Sequence, residues 1–354
     1  MSGAALRRAN LEALVEAQGA HRATPPLLLS ADPYFDLAGE EFGRRLLLTT
    51  DSSGAEYCLR PDFTLPIVQA YIANGVGAPA AFCYMGPIFR QRLTGAAEFD
   101  QAGLELLAQH DGDVALDQVL TFARAALSIY NVVPDVRLGG VGLFEALLVQ
   151  ADMPDAWRSR VRARFGHTEA LDRLLTRLEK GGDTPGRDLP NRQSLIDEVT
   201  EQMVASGLSL SEGRTPEEIT DRYFEQQALD AAQVPAATLQ LLRDYLAISG
   251  PVLQALTQVE ALASKHKLML GAPIRALRRH LDGLGEARVS FDASFSPRLD
   301  YYTGIVFEMT GSSGEVLASG GQYDRLLERL GATAPIAASG CAVWVDRLEA
   351  EVAP

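Results

Sequence analysis

Cysteine is scarce in this 354-residue chain. Cys58, Cys83 and Cys341 are odd in number and far apart, which speaks against a disulfide framework and offers no zinc spacing. Histidine is nearly as rare. His21, His110, His167, His266 and His280 show no metal-ligand pattern, so they read as surface or capping residues and no metal is expected. A positive balance is also missing: 32 Lys and Arg stand against 46 Asp and Glu, a net charge of −14. That balance gives a polyanion no help, although a local basic groove can exist on an acidic protein, so nucleic acid is not the expected partner. Nor is there an unbroken apolar run. Phe63 to Phe89 carries no charge and has the length, about 20 residues or more, that a spanning helix needs. Pro66, Asn74, Gly75, Gly77, Pro79, Gly86 and Pro87 punctuate it too often, and it reads as helix, turn and buried strand. The N-terminal stretch is interrupted by Arg7, Arg8, Glu12 and Glu16, the mark of an amphipathic helix rather than a secretory signal. The expectation is a cytoplasmic protein with no membrane segment.

What is present describes an ordinary globular chain with a large core: 47% hydrophobic and 22% charged residues. Its length predicts two or three domains. Helical periodicity covers residues 5–19, 64–74, 113–130 and 142–152. "RATPPLLLSADPYFDL" reads as a loop leading into a strand, and "RRLLLTTDSSGAEYCLRPDFT" as two strands around a turn. "AAFCYMGPIFRQ" and "EFDQAGLELLA" are strands joined by the short polar "RLTGAA", an antiparallel hairpin, and "DVRLGG" is a further strand. Between 151 and 250 charges become dense and strand signals vanish. Arg158, Arg160, Arg162 and Arg164 spread around a helix there, which predicts a solvated face rather than a phosphate site. Beyond it, 252–283 reads as one long helix, followed by strands in "ARVSFDASF", "GIVFEMT" and "EVLAS", a helix at 322–330, and "PIAASGCAVWVDRLEAE" as strand into helix. The layout is α+β: an antiparallel sheet flanked by helices, built from 1–150 and 251–354, with a helical insertion at 151–250.

Two motifs fail on context. "GVGAPA" at 75–80 lies between a helix and a strand, the reverse of the order a dinucleotide fingerprint requires, and Ser264 with Lys267 matches S-x-x-K by chance. Three other stretches carry more: "CLRPDFTLP", "YMGPIFRQRLTGAAEFDQAGLE", and "PRLDYYTGIVFE" with "ASGGQYDRLL". Each puts buried-type polar residues at strand ends. Gln101, Gly103 and Glu105 alternate, so they share one face of one strand. Taken singly, each polar residue fits a hydrogen-bonded network or a wet outer face. Together, carboxylates, an Arg, a Gln and tyrosines from separate strand ends fit a small zwitterion, because each buried polar group needs a partner.

These stretches resemble the catalytic domain of histidyl-tRNA synthetase, a class II aminoacyl-tRNA synthetase. "LRPDFT" is similar to the family's L-R-P-E-G-T, "MGPIFRQR…EFDQAGLE" to motif 2, "LDYYTGIVFE" and "GGQYD" to the histidine-specific segments, and "GCAVWVDRL" to motif 3. The likeness runs through most of the chain outside 151–250. It implies that Asp62, Thr64 and Gln101 hold a histidine ammonium and that Arg90 sits near its carboxylate. It further implies that Glu105 and Tyr302 address the imidazole, with Tyr301 in the same segment, and that Tyr323 helps close the pocket. Charge-assisted bonds of this kind are worth about 1.5–3 kcal/mol each, and analogues that leave them unpaired are rejected.

The departures lie on the nucleotide side. The family's R-G-L-D-Y-Y becomes Pro297-Arg298-Leu299-Asp300-Tyr301-Tyr302, so proline replaces the Arg that steadies charge during activation. Arg92 stands where a Glu meets adenine, the motif 2 loop shrinks to "LTGAA", and Trp344 fills the place of a glycine, while Arg347 is kept. The likeness to motif 3 ends close to Pro354, so no anticodon-binding domain is expected. A paralogue that keeps the histidine pocket and loses the nucleotide machinery resembles the regulatory subunits of ATP phosphoribosyltransferase. That resemblance implies no catalytic residues, no cofactor, dimerisation through the motif 1 region, a short-form catalytic subunit as partner, and feedback control by L-histidine. Two alternatives stay open at this point: a minimal histidine-activating ligase, and a regulator that binds tRNA-like RNA.

Overall fold

The computed structural model describes residues 3–37, 42–75, 77–93, 95–180, 191–206, 215–231, 233–284, 288–297 and 301–352. Its contacts divide the chain into two compact units, residues 1–147 with 244–354 and residues 148–243. In chain order the strands are β1 (His21–Arg22), β2 (Leu28–Ser30), β3 (Leu48–Thr50), β4 (Glu56–Leu59), β5 (Ala80–Phe89), β6 (Glu98–Leu107), β7 (Asp135–Gly140), β8 (Ser249–Pro251), β9 (Val289–Asp292), β10 (Ile305–Thr310), β11 (Val316–Gln322) and β12 (Ala338–Trp344).

In the first unit β2, β4 and β3 form a small sheet, and the other nine strands form one large sheet in the order β1-β5-β6-β12-β11-β10-β7-β9-β8. The six from β5 to β7 in that order are antiparallel throughout. Three more strands, β1, β9 and β8, extend the edges, and β1–β5 and β7–β9 are parallel pairs. Parallel neighbours need a long crossover, and residues 141–288 lie between β7 and β9. Among the described residues no helix is long and apolar enough to cross a membrane.

The two faces of the large sheet have different covers. The helix Gly112–Ile129 starts at Asp111, whose Oδ1 accepts from the backbone N–H of Asp113 (3.0 Å) and Val114 (3.1 Å). It buries Leu116, Val119, Leu120, Ala123 and Leu127 at helical spacing and packs on β6, β11 and β12. On the other face the helix Thr64–Ala73 packs Leu65, Ile67, Val68 and Tyr71 into a cluster with Tyr84, Ile88, Tyr301 and Tyr323.

Three sequence expectations need correction. The run 252–283 is two helices, Val252–His266 and Gly271–Arg279. Lys267 adopts the left-handed conformation (φ 55°), and Leu268 N–H closes back on Ala263 O at 2.8 Å, so the first helix ends there. Pro273 then falls in the first turn of the second helix, where a missing N–H is harmless. The helix expected at 322–330 shrinks to Leu326–Arg329, because β11 runs on through Gly320 and Gly321, which pair with β12 and β10. After the loop and the short β2, residues Asp32–Leu37 form a helix rather than more strand.

The second unit holds the helices Asp155–Arg162, Thr168–Glu179, Arg192–Ala205 and Pro216–Ala231, and most of Ala236–Leu246. Its arginines are more engaged than a solvated face requires. Arg158 donates to the carbonyls of Leu148 (2.9 Å) and Met153 (2.9 Å), and Arg243 is clasped by Asp172, Thr176 and Glu179.

Candidate functional site

The eight residues singled out by sequence come from four places in the first unit. Asp62 and Thr64 lie where β4 leads into the helix Thr64–Ala73, Arg90 follows β5, Gln101 and Glu105 are on β6, and Tyr301, Tyr302 and Tyr323 flank β10 and β11. Glu105 is their centre. It is 1% exposed, and its Oε1 accepts from Thr64 Oγ1 (2.7 Å) and Tyr84 OH (3.3 Å) while its Oε2 accepts from Tyr323 OH. The Tyr301 ring lies 5.0 Å from Tyr302 and 5.7 Å from Tyr323 between centroids, so the three tyrosines form one cluster.

Burial dominates the electrostatics. It pushes the Glu105 carboxyl up to about 8, although the hydroxyls that donate to it pull the other way. Asp62 is also raised by burial, against the pull of Arg90 and of the Leu65 N–H, which donates to its Oδ1 at 3.1 Å. Two buried acceptors, Asp62 Oδ2 and Gln101 Oε1, have no partner among the described residues. A buried acceptor without a donor is unfavourable by about 1–3 kcal/mol, and an ammonium supplies donors of the right sign. Arg90 is held by its Nε on Pro61 O (2.6 Å) and lies 4.8 Å above the Phe42 ring, half-buried.

Two partners of this site were missed in the sequence. Tyr84 is wholly buried, stacked on Phe63 at 4.3 Å, and its hydroxyl joins Glu105 to the carbonyl of Cys341 (3.2 Å). The hairpin register places Tyr84 opposite Gly103, between Gln101 and Glu105, and counting back from the "RLTGAA" turn would have found it. Arg60 is 5% exposed, donates to the carbonyls of Pro25 and Pro87, and lies 4.1 Å over Phe63, which fixes the chain just ahead of Asp62.

A separate cavity of about 690 Å³ is lined by Arg44, Arg45, Arg92, Glu315, Asp346 and Arg347 among others, and includes none of the eight. Of the positions that the resemblance assigns to the nucleotide side, Arg92 and Arg347 line it, and Trp344 and Pro297 do not. Arg92 is paired with Asp346 (2.6 Å) and covers the Phe99 ring at 3.1 Å. Arg347 donates to Val316 O (2.6 Å) and sits 5.1 Å over Trp344. Both aromatic faces are therefore already covered by guanidinium groups of this chain. Pro297 is buried, and Arg298 lies outside the described residues, with Leu299 and Asp300.

The histidyl-tRNA synthetase family model matches residues 4–182 and 219–348. The ATP phosphoribosyltransferase regulatory subunit of Brucella ovis is 37% identical over 348 residues, covering 92% of this chain and 91% of the relative; that of Brucella abortus matches equally well. The chain belongs to the family of ATP phosphoribosyltransferase regulatory subunits. Solved structures show the same fold for this regulatory-subunit relative. An ATP phosphoribosyltransferase regulatory subunit/histidyl-tRNA synthetase from Bacillus halodurans superposes with a TM-score of 0.67 at 21% identity, covering 99% of this chain and 79% of that one. A histidyl-tRNA synthetase from Nostoc sp. gives 0.60 at 16% identity, covering 99% and 71%. The class II synthetase-like core is thus the fold of this family member.

Proposed function

We propose that this chain is the non-catalytic regulatory subunit of ATP phosphoribosyltransferase and confers histidine feedback control on a separate catalytic subunit, in the first step of histidine biosynthesis. The observation that carries the ligand assignment is the Glu105 site. A buried carboxyl aimed by three hydroxyls is accompanied, among the eight residues, by two buried acceptors without a partner among the described residues, Asp62 Oδ2 and Gln101 Oε1. Asp62, Thr64 and Gln101 take the ammonium, Arg90 the carboxylate, and Glu105 with Tyr302 the imidazole, with Tyr301 and Tyr323 as walls. The covered aromatic faces at Phe99 and Trp344 support loss of histidine activation.

The chain works in the cytoplasm and pairs with itself through the small sheet, where Leu27, Leu28 and Leu48 are each 49% exposed. Histidine binds the inhibited arrangement of the hetero-oligomer more tightly than the active one, and by linkage the ligands that favour the active arrangement weaken histidine binding. The test is gel filtration and phosphoribosyl transfer with a cognate catalytic subunit across histidine concentrations. Co-elution and inhibition that depends on this chain are expected. Absence of association, or equal inhibition without this chain, rejects the reading.

A further inference from the structure

Glycines are concentrated in the sheet around Glu105. Gln101, Gly103 and Glu105 share a face of β6; opposite them stand Gly86, Tyr84 and Phe82 on β5, and Trp344, Ala342 and Gly340 on β12. Gly321 on β11 pairs with Gly340 in turn. Directly paired residues of antiparallel strands put their side chains on the same face, a few ångströms apart. A Cβ at position 340 would fall 1.6 Å from Glu105 Oε2 and 2.6 Å from its carboxyl carbon. Glu105 therefore does not stand up from the sheet. It lies across β12, in the space that a side chain at 340 would fill. One strand over, the arrangement repeats: a Cβ at Gly103 would fall 2.2 Å from the Tyr84 ring and hydroxyl, so Tyr84 lies across β6 in the same way.

From this geometry we infer that Gly340 is a positioning residue of the ligand site, one that sets which oxygen of Glu105 meets the ligand. The inference rests on the histidine reading of the site. Each carboxylate oxygen accepts about two hydrogen bonds. Oε1 already has two donors, Thr64 and Tyr84, whereas Oε2 has one, Tyr323. The oxygen with capacity left is Oε2, the one that the missing side chain of Gly340 accommodates. In its ionised form Glu105 thus takes a single N–H, which an imidazole presents. A forked donor such as a guanidinium, which addresses both oxygens of a carboxylate at once, finds Oε1 filled.

The test is a double-mutant cycle on Gly340→Ala and Glu105→Ala, read by histidine calorimetry on the full chain and by thermal melting. Gly340→Ala alone is expected to weaken histidine binding by roughly tenfold or more and to lower the melting temperature. With Glu105 already cut to Ala, the two closest atoms are gone and the next atom facing the new Cβ is Leu104 O, a tight backbone contact at 3.0 Å, so Gly340→Ala should then cost much less in both quantities than it does in the wild type. Arginine should not compete with histidine in the wild type. Unchanged affinity in Gly340→Ala, additive losses in the cycle, or arginine competing with histidine would overturn the inference. If Gly340→Ala does not fold, the double variant decides: folding supports the inference and failure to fold rejects it. If the wild type binds no histidine, the functional reading falls, yet melting of the four proteins still tests the geometry by itself.

Discussion

Glu105 is a buried carboxylate whose hydrogen-bond partners are neutral hydroxyls. Its proton equilibrium is therefore set by burial, which raises the carboxyl from an ordinary 4.5 to about 8. Between those values the folded protein holds a proton that the unfolded chain has released. The resulting contribution to stability is complete below the unfolded value and disappears as pH rises through about 8. Glu105→Gln imitates the protonated form. Urea unfolding should show the variant gaining on the wild type from pH 5 to pH 8.5, and a constant difference across that range would remove Glu105 as the cause. For the ligand, Glu105→Ala deletes the acceptor of the imidazole N–H and should weaken histidine binding by about 1.5–3 kcal/mol. Calorimetry checks it, and equal affinities would place the ligand elsewhere.

At the scale of elements, the break between Val252–His266 and Gly271–Arg279 turns on one exposed lysine in a left-handed conformation. A side chain there is unfavourable by about 1–2 kcal/mol relative to glycine. Lys267→Gly should raise the stability of the chain by up to about that amount without moving either helix, measurable as a shifted urea midpoint at constant slope. The strands and helices closest to the site were legible because their signals are local. β5 and β6 follow from alternation and a short polar turn, and the end of the helix Thr64–Ala73 from Asn74 and Gly75. The polar residues stood out because Gln and Glu on a covered face need partners. Tyr84 was legible only through hairpin register, since a buried tyrosine in a strand otherwise looks like core. Gly340 was not legible at all. Its part depends on β12 lying beside β6, a pairing across more than half the chain that no local pattern encodes. The extra strand β8 escaped for the same reason, being a short edge segment whose partner is distant in sequence, whereas β9 was legible in "ARVSFDASF".

For the molecule as a whole, the covered aromatic faces and the buried Pro297 predict that the purified chain shows no histidine-dependent ATP–pyrophosphate exchange. Exchange above a no-enzyme control that disappears in Arg90→Ala would contradict this. In complex with the catalytic subunit, Tyr302→Phe should shift histidine inhibition to higher concentration while leaving co-elution intact, because Tyr302 belongs to the ring cluster inside the first unit. The position of β12 bears on how such a chain is made. Among the described strands it is the last to leave the ribosome, yet it is seated between β6 and β11. Until it emerges, the nascent sheet has two unpaired central edges, and bare edges are templates for wrong pairing. Glu105 meanwhile has no glycine bed to lie on. Ligand competence thus arrives only with the final strand, so a chain stalled before Ala338 should be a client of chaperones and blind to histidine.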